Sequence, residues 1–347
     1  MTMTPNALPS PSTPDLTDPE SARSLLDLVA RAEAADGQPP FSDQSLIDLR
    51  TGKRQLLVIG GDAAAIVSPT EAEFVVAPDA RGHGIGTALL EAIIARSNGG
   101  LLIWAHGDHA AARALARSHG LQPVRELLQL RAPVPASVPV PVPASASALA
   151  SALALAAEPV PGASAGSTSE SITTDHFRSG VDDEAWLRLN ARVFAHHPEQ
   201  GAVTRADLAE LRSEPWFDEA DFLLLRDGDH DGAMVGYCWL KIESASSDQR
   251  GGSDQRGGSD QRSGSDQRSG SDQRGGEFYV VGVDPDRQGE GLGRRLMDAG
   301  FARLAERGIR TALLYVEADS IPAVRLYRSL GFTDHSIDIQ YAVRGSA

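Results

Sequence analysis

The chain has 347 residues, with 47 acidic against 32 basic side chains and a formal net charge of −15. That length allows two domains with cores of their own, and the acidic balance excludes the basic footprint that nucleic-acid binding needs. No apolar run reaches the roughly 18 residues of a membrane span. The start, MTMTPNALPSPSTPD, has no basic region before an apolar core, and Cys238 is the sole cysteine, so neither a secretory leader nor an intrachain disulfide is expected.

In chain order, residues 1–17 are rich in Pro, Ser and Thr and are expected to be disordered. Leu25, Leu26, Val29 and Ala30 recur at helical spacing and predict a helix over 18–36, with a second over 41–50. Strands are predicted over 55–59, 63–67 and 72–77, then a helix over 87–96, a strand over 101–104, a helix over 110–118 and a strand over 121–130. Residues 133–172 are rich in Pro, Ala, Val and Ser and read as a linker.

The second half predicts helices over 182–194 and 204–212 and strands over 222–226 and 234–242. Five copies of Ser-Asp-Gln-Arg-(Gly/Ser)-Gly then fill 247–276. The hexad has no apolar residue to bury, so it reads as a solvated insertion between two strands. A strand over 278–283, a helix over 294–307, a strand over 311–316, a helix over 321–330 and a strand over 332–343 complete the chain.

The organising stretch is Glu277 to Arg295. Phe278-Tyr279-Val280-Val281-Gly282-Val283 reads as a buried strand that Asp284-Pro285 ends. Gln288-Gly289-Glu290-Gly291-Leu292-Gly293-Arg294 then opens a helix, and glycines at such a turn let backbone N–H groups approach an anion. The bland alternative is a tight turn. No Lys-Ser/Thr follows and the GxGxxG spacing is not met, which removes the nucleoside-triphosphate and dinucleotide loops. What remains, Gln/Arg-x-x-Gly-x-Gly after a strand ending in Val-Asp-Pro, resembles the coenzyme A loop of the GCN5-related N-acetyltransferase (GNAT) superfamily.

The pattern occurs twice. Arg81-x-x-Gly84-x-Gly86 stands beside Gln288-x-x-Gly291-x-Gly293, and Ala114 to Leu121 beside Arg325 to Phe332. The expected fold class is therefore α/β (α+β): two tandem GNAT-type domains, each a mixed, mostly antiparallel twisted sheet flanked by helices. The expected boundaries are 18–132 for a non-catalytic first domain and 173–345 for a catalytic second one. Ala116 stands in the place of Tyr327, and no first-half carboxylate has the spacing of Glu277, which precedes Pro285 by eight residues where Glu73 precedes Pro78 by five.

Acetyl transfer to an amine needs a base for the ammonium and a proton for the leaving thiolate. Glu277 is the candidate base and Tyr327 the candidate acid; the alternatives are a strand-end carboxylate and a packed core tyrosine. Val281, Gly282 and Val283 are placed to pair with pantetheine amides, and Ser320-Ile321-Pro322-Ala323-Val324-Arg325 to line the cofactor. His196-His197 lacks a third ligand at metal spacing, so no metal is expected, and Cys238 in a strand beside Trp239 reads as a buried structural thiol.

Phe194-Ala195-His196-His197-Pro198-Glu199-Gln200-Gly201, Glu214-Pro215-Trp216-Phe217-Asp218, Gly236 to Lys241, Glu277 to Pro285 and Leu314 to Asp319 resemble the mycothiol synthase family of tandem acetyltransferases. The resemblance covers both halves, with Trp104 to Gly107 and Val124 to Leu130, but neither the linker nor the hexads. It implies an actinobacterial, cytoplasmic, monomeric enzyme that moves acetyl from acetyl-CoA to the cysteinyl amine of desacetylmycothiol. Asp43, Glu199, Lys241, Glu277 and Tyr315 would hold that acceptor, with Asp43 standing where the family usually has Glu. Phe74-Val75-Val76 and Gly82-His83-Gly84-Ile85-Gly86-Thr87 would form a second, structural acetyl-CoA site. An acetyltransferase for another amine and a coenzyme A sensor without turnover are the competing readings.

Overall fold

The computed structural model describes residues 10–16, 18–97, 99–136, 171–196, 200–230, 232–242 and 275–343. Of the start expected to be disordered, residues 1–9 and 17 lie outside the described residues, whereas Ser12 exchanges backbone hydrogen bonds of 2.9 and 2.8 Å with Val58. Almost all of the linker and the hexads up to 274 also lie outside the described residues. The chain forms two compact units that are not continuous in sequence: Met1–Leu130 with Val316–Val324 and Asp334–Ala347, and Arg131–Tyr315 with Arg325–Thr333.

In the first unit, helix α1 (Pro19–Asp36) starts where Asp18 accepts from the Ser21 amide and Pro19 fills a position needing no donor. It ends at Gly37, whose φ of 78° closes the last turn. Helix α2 (Asp43–Arg50) is capped by Ser42. Strands β1 (Gln55–Ile59), β2 (Ala63–Val67) and β3 (Glu71–Val76) form an antiparallel meander. Helix α3 (Ile85–Arg96) follows, then β4 (Leu102–Ala105), α4 (Ala110–Ser118) and β5 (Gln122–Pro133).

Strand β4 runs parallel to β3, and its other edge takes β11 (Thr333–Ala342) in antiparallel register, Gln340 opposite Trp104. The order in this unit is β1-β2-β3-β4-β11-β5. Leu89, Leu90 and Ile93 of α3 pack with Leu57, Ala65, Ile103 and Tyr341 on one face, while Leu28, Ala32 and Phe41 cover Ala64, Ile66 and Val75 on the other. Strand β2, AAAIV, is buried along its whole length because helices cover both of its faces.

The second unit opens with β6 (Ile172–His176), an edge strand against β7 (Phe222–Asp227), at the start of the second half where the sequence predicts no strand. Its polar ITTDH sequence has little strand signal of its own; the FLLL run of β7 recruits it. Helix α5 (Asp183–Val193) and helix α6 (Arg205–Arg212), the latter with a Thr204/Asp207 capping box, come before β7. Then follow β8 (Ala233–Ile242), β9 (Gly275–Val283), α7 (Leu292–Glu306), β10 (Thr311–Glu317) and α8 (Ile321–Ser329).

Strand order here is β10-β9-β8-β7-β6, with β9–β10 parallel and the rest antiparallel. Each unit thus has the expected mixed, mostly antiparallel sheet. Strand β9 begins at Gly275, so the expected insertion 247–276 overlaps two strand residues. The core under α5 is aromatic: Phe222 stacks on Trp239 at 4.5 Å and Trp186 meets it edge-on at 6.0 Å.

Candidate active site

The β9–β10 ladder runs from Gly275↔Thr311 to Phe278↔Leu314 and stops there, although both strands continue, to Val283 and Glu317. On its other side β9 stays paired with β8 up to Val283↔Gly236. The Asp284 amide donates to the Val235 carbonyl at 2.9 Å. Alternation along an antiparallel pair then turns the main-chain groups of Gly282 toward β8 and those of Val281 and Val283 toward the open side. A free strand edge of this kind pairs with an extended chain of amides.

Past the end of β9, Gly289 and Gly291 have φ of 85° and 81°. A side-chain-bearing residue would cost about 1–2 kcal/mol in that conformation. Gly291 caps α7 without a side-chain hydrogen bond, so the first-turn N–H groups face outward. This fits the anionic end of coenzyme A. Gln288, Glu290 and Arg294 are exposed around this turn, while Leu292 is buried.

Lys241 of β8 stands directly opposite Glu277, which in turn stands opposite Leu313 of β10. Tyr315 lies two residues beyond Leu313, on the same face and just past the last paired rung. Lys241 Nζ lies 5.9 Å above the Trp216 ring, and Trp216 packs on Trp239 and Tyr279. Thus Lys241, Glu277 and Tyr315 share one face, with an aromatic wall beside them.

Tyr327 approaches from the other face. Its ring meets Phe332 at 5.9 Å, and Phe332 packs on Phe278, which points opposite to Glu277. Burial, with the neighbouring Cys238 thiol adding to it, pushes the Tyr327 phenol up to about 12. Cys238 is fully buried opposite Val281, and burial pushes its thiol up, consistent with a structural role. Carboxylate and phenol therefore lie on opposite faces of the sheet.

Asp43 is the first residue of α2 in the first unit. Ser320 to Val324 also fall in that unit, and Arg325 in the second; Pro322 is the second residue of α8, where a missing amide costs little. Glu199 and His197 lie outside the described residues.

The first unit repeats the open edge. The β3–β4 ladder runs only from Glu71↔Leu102 to Glu73↔Trp104, leaving Phe74, Val75 and Val76 beyond it. Gly82 and Gly84 have φ of 80° and 83°, matching the second loop, and a Cβ on Gly86 would lie 3.5 Å from Val76. His83 and Thr87 flank the start of α3, which Ile85 begins. Here, however, the Val76 carbonyl accepts from Arg81 Nε at 3.0 Å, and Asp36 grips the Arg81 guanidinium through two bonds of 2.7 Å.

No first-half carboxylate has the spacing of Glu277 from the loop, yet by strand register Glu71 is its counterpart. Glu71 is opposite Leu102 as Glu277 is opposite Leu313, and its carbonyl accepts from the Ser68 amide where Glu277 pairs with Lys241. Counting residues from the proline hides this, because the β8–β9 register shifts between Trp239 and Leu240 and puts an extra residue into β9. Glu71 is ion-paired to Arg54 and accepts from Trp104 Nε1 at 2.9 Å and Gln340 Nε2 at 3.3 Å.

Glu73 is buried and also engaged. It accepts from the Ser42 amide and hydroxyl and from the Ser45 hydroxyl, each at 2.7 Å, and meets His106 at 3.5 Å. His106 Nδ1 lies 2.9 Å from Asp338, which also accepts from the Gly107 amide at 2.9 Å. Burial alone would raise Glu73, but His106 and Ser42 outweigh it and hold the carboxyl down at about 2. Burial opposes the charge on His106 as well, yet Asp338 and Glu73 hold it up at about 10.

Two further features escaped the sequence reading. Arg131, near the end of β5, lies close to Tyr315. Asn190 of α5 and Tyr237 of β8 form a buried polar pair behind Gly282. Neither has a local signal, since each depends on which strands become neighbours.

Residues 185–332 match the Acetyltransferase (GNAT) family and residues 52–122 an Acetyltransferase (GNAT) domain. A protein of Clavibacter sepedonicus named mycothiol acetyltransferase is 39% identical over 354 residues, covering 97% of this chain and 99% of its own. One of the same name from Thermobifida fusca is 38% identical over 346 residues, covering 95% and 96%. Among solved structures, a GCN5-related N-acetyltransferase from Sphaerobacter thermophilus aligns with a TM-score of 0.60 at 21% identity, covering 97% of this chain and 96% of its own. A tandem GNAT protein from the clavulanic acid biosynthesis pathway aligns at 0.59 and 14% identity, covering 97% and 99%. With two GNAT domains and near-full-length identity of this order, the chain belongs to the mycothiol acetyltransferase family and is an acetyl-CoA-dependent N-acetyltransferase.

Proposed function

We propose that the protein transfers the acetyl group of acetyl-CoA to the cysteinyl amine of desacetylmycothiol, the last step of mycothiol formation, and does so in the second unit. The observation that carries this reading is the shared face of Lys241, Glu277 and Tyr315 at the mouth of the β9–β10 gap. A pseudodisaccharide presents many hydroxyls, and a buried lysine, a carboxylate and a phenol can each bond one.

Val281 and Val283 pair with the pantetheine arm, and the turn Gln288 to Arg294 takes the diphosphate, with Ser320 to Arg325 further along the cofactor. Bound there, acetyl-CoA supplies an activated acyl carbon. Glu277 takes a proton from the acceptor ammonium, directly or through one water, so that the free amine can attack. The Val281 amide steadies the charge that develops on the carbonyl oxygen. Tyr327, protonated at neutral pH, gives its proton to the departing thiolate as the carbon–sulfur bond breaks. The family resemblance adds Asp43 and Glu199 as candidates for acceptor contacts.

The first unit holds a second coenzyme A at Phe74–Val76 and Gly82–Thr87 without turning it over. Glu71, the counterpart of Glu277, is taken by Arg54, and Ala116 offers no proton where Tyr327 does. We place the enzyme in the cytoplasm, as a monomer.

The test is to incubate purified protein with acetyl-CoA and desacetylmycothiol and follow the N-acetylated product chromatographically. Product at a rate that saturates with both substrates is expected. Acetylation of simple amines with equal efficiency, and none of desacetylmycothiol, would favour the generic acetyltransferase; tight coenzyme A binding without product from any amine would favour the sensor.

A further inference from the structure

The turn that follows β9 has little backbone packing to hold it. Gly289 and Gly291 both have positive φ, and among the described residues nothing lies within 4 Å of where a Cβ on either would stand. Glycine loses more freedom on ordering than any other residue, so a turn with two of them is costly to fix in one shape. Glu290 stands between them, exposed, and puts a carboxylate into a turn read as taking a diphosphate. By charge alone it would oppose that anion.

Its partner gives it another use. Arg287 Nε donates to both carboxylate oxygens of Glu290, at 2.8 and 2.9 Å, and Arg287 Nη1 donates to Asp227 Oδ2. Asp227 ends β7 and is buried. Its Oδ1 accepts from the Asp229 amide at 3.0 Å and the Ser171 hydroxyl at 3.3 Å, and His230 Nδ1 lies 2.9 Å from its Oδ2. A rigid guanidinium thus links a carboxylate anchored in the sheet to the one residue between the glycines.

The first unit ties its turn differently. With Pro78 set beside Pro285, Ala80 stands in the place of Arg287 and His83 in that of Glu290. There Arg81, in the place of Gln288, reaches the Val76 carbonyl and Asp36. That tie uses a carbonyl on the open strand edge. The tie through Arg287 runs to β7 instead and does not use the carbonyl of Val283, the counterpart of Val76.

We propose that Asp227, Arg287 and Glu290 act as one positioning unit that holds the Gln288–Gly293 turn in its cofactor-binding shape before acetyl-CoA arrives. The unit works through the backbone of the turn, by reducing the entropy lost when the cofactor orders it. Glu290 therefore strengthens the binding of an anion in spite of its own charge. The inference rests on the reading of this turn as the diphosphate site.

The sign of one substitution tests it. Glu290→Gln removes a negative charge from an exposed position, so it keeps the fold, and on charge alone it would tighten coenzyme A. Loss of the tie has the opposite result: isothermal titration of the full chain should give a Kd for coenzyme A about 5-fold higher or more. Arg287→Lys keeps the positive charge but has no fork to hold two carboxylates, and it should weaken coenzyme A to a similar extent. In both variants KM for acetyl-CoA should rise in step, with KM for desacetylmycothiol within about twofold. The double variant R287K/E290Q should be no weaker than either single one, because the residues act as a unit.

Tighter binding by E290Q, or wild-type affinity in R287K, would overturn the proposal. Hydrogen–deuterium exchange gives a readout independent of turnover: amides of 286–293 should exchange faster in both variants while those of β8 do not, and unchanged exchange would also overturn it. Gly291→Ala separates this inference from the reading beneath it. If G291A weakens coenzyme A but E290Q and R287K do not, the tie alone fails; if none of the three weakens it, the diphosphate assignment fails as well.

Discussion

Glu71 and Glu277 occupy the same rung of their respective sheets, opposite Leu102 and Leu313, yet Glu71 is gripped by Arg54 and Trp104 whereas Glu277 faces Lys241 across the strand pair. Arginine holds a carboxylate in a rigid fork and never gives up its charge, so a base so paired has its lone pairs committed. Lysine is a point charge on a flexible stem and can turn to a substrate hydroxyl. One fold, used twice, thus gives two equivalent carboxylates different cations to face, and the proposed base is the one opposite lysine.

Replacing Glu277 by Gln should lower kcat on the order of 10²-fold or more, with KM for acetyl-CoA unchanged. The isosteric amide keeps the β8–β9 pairing and removes only the proton acceptor. Full turnover in steady-state assays of E277Q would take the base role away from this residue. The matching substitution Glu71→Gln should leave kcat intact and lower the melting temperature, because Arg54 loses its partner.

Tyr327→Phe should lower kcat on the order of 10²-fold at neutral pH. Because the phenol is held up at about 12 by burial, it keeps its proton through the ordinary working range. The wild-type pH–rate profile should therefore show an ascending limb from the base and no descending limb below about pH 10. A descending limb near pH 8 that vanishes in Y327F would show that the phenol titrates far lower than its surroundings dictate.

The Glu73–His106–Asp338 chain makes stability depend on pH, with opposite signs at its two ends. His106 is raised from 6.5 to about 10 in the folded protein, so its contribution is complete below 6.5 and is lost as pH rises through about 10. Glu73 is lowered from 4.5 to about 2, so its contribution is complete above 4.5 and is lost as pH falls through about 2. Urea midpoints should be highest between those inner limits and decline from pH 7 to 9.5. His106→Gln strands two buried carboxylates, should cost about 3–5 kcal/mol, and should flatten the alkaline slope; an unaltered slope in H106Q would assign it to other groups.

Gly291→Ala should raise KM for acetyl-CoA with a smaller effect on the acceptor. At a φ of 81° alanine costs about 1–2 kcal/mol, and the first turn of α7 shifts to relieve it. Isothermal titration with coenzyme A would register the loss directly, and an unchanged affinity would move the diphosphate away from this turn.

The sequence carries whatever depends on short-range chemistry. The paired glycine turns, the strands that lead into them and most helix limits follow from apolar period, glycine and proline, and the structure has them where those signals lie. Three features depend instead on register between distant segments. The β6 strand is polar and gains its identity from β7. The Glu71–Glu277 correspondence is masked by one extra residue in β9, which no count along the chain can reveal. The Asn190–Tyr237 pair joins a helix to a strand 47 residues away. Nor does the alternation of residues say that Asp338 and Gln340 will serve His106 and Glu71, since that requires β11 to lie against β4.

This last arrangement bears on how the chain is made. During synthesis the strand that covers the edge of β4 and supplies the counter-charge for His106 follows it late, Asp338 being translated 232 residues after His106. Until then β4 has an open rim able to pair with a stranger and an imidazole held by one carboxylate instead of two. A fragment ending near residue 136 would keep both defects permanently, so dissecting the protein into halves for separate expression should yield aggregates, while co-expression with a C-terminal fragment that carries β11 should rescue the soluble fold.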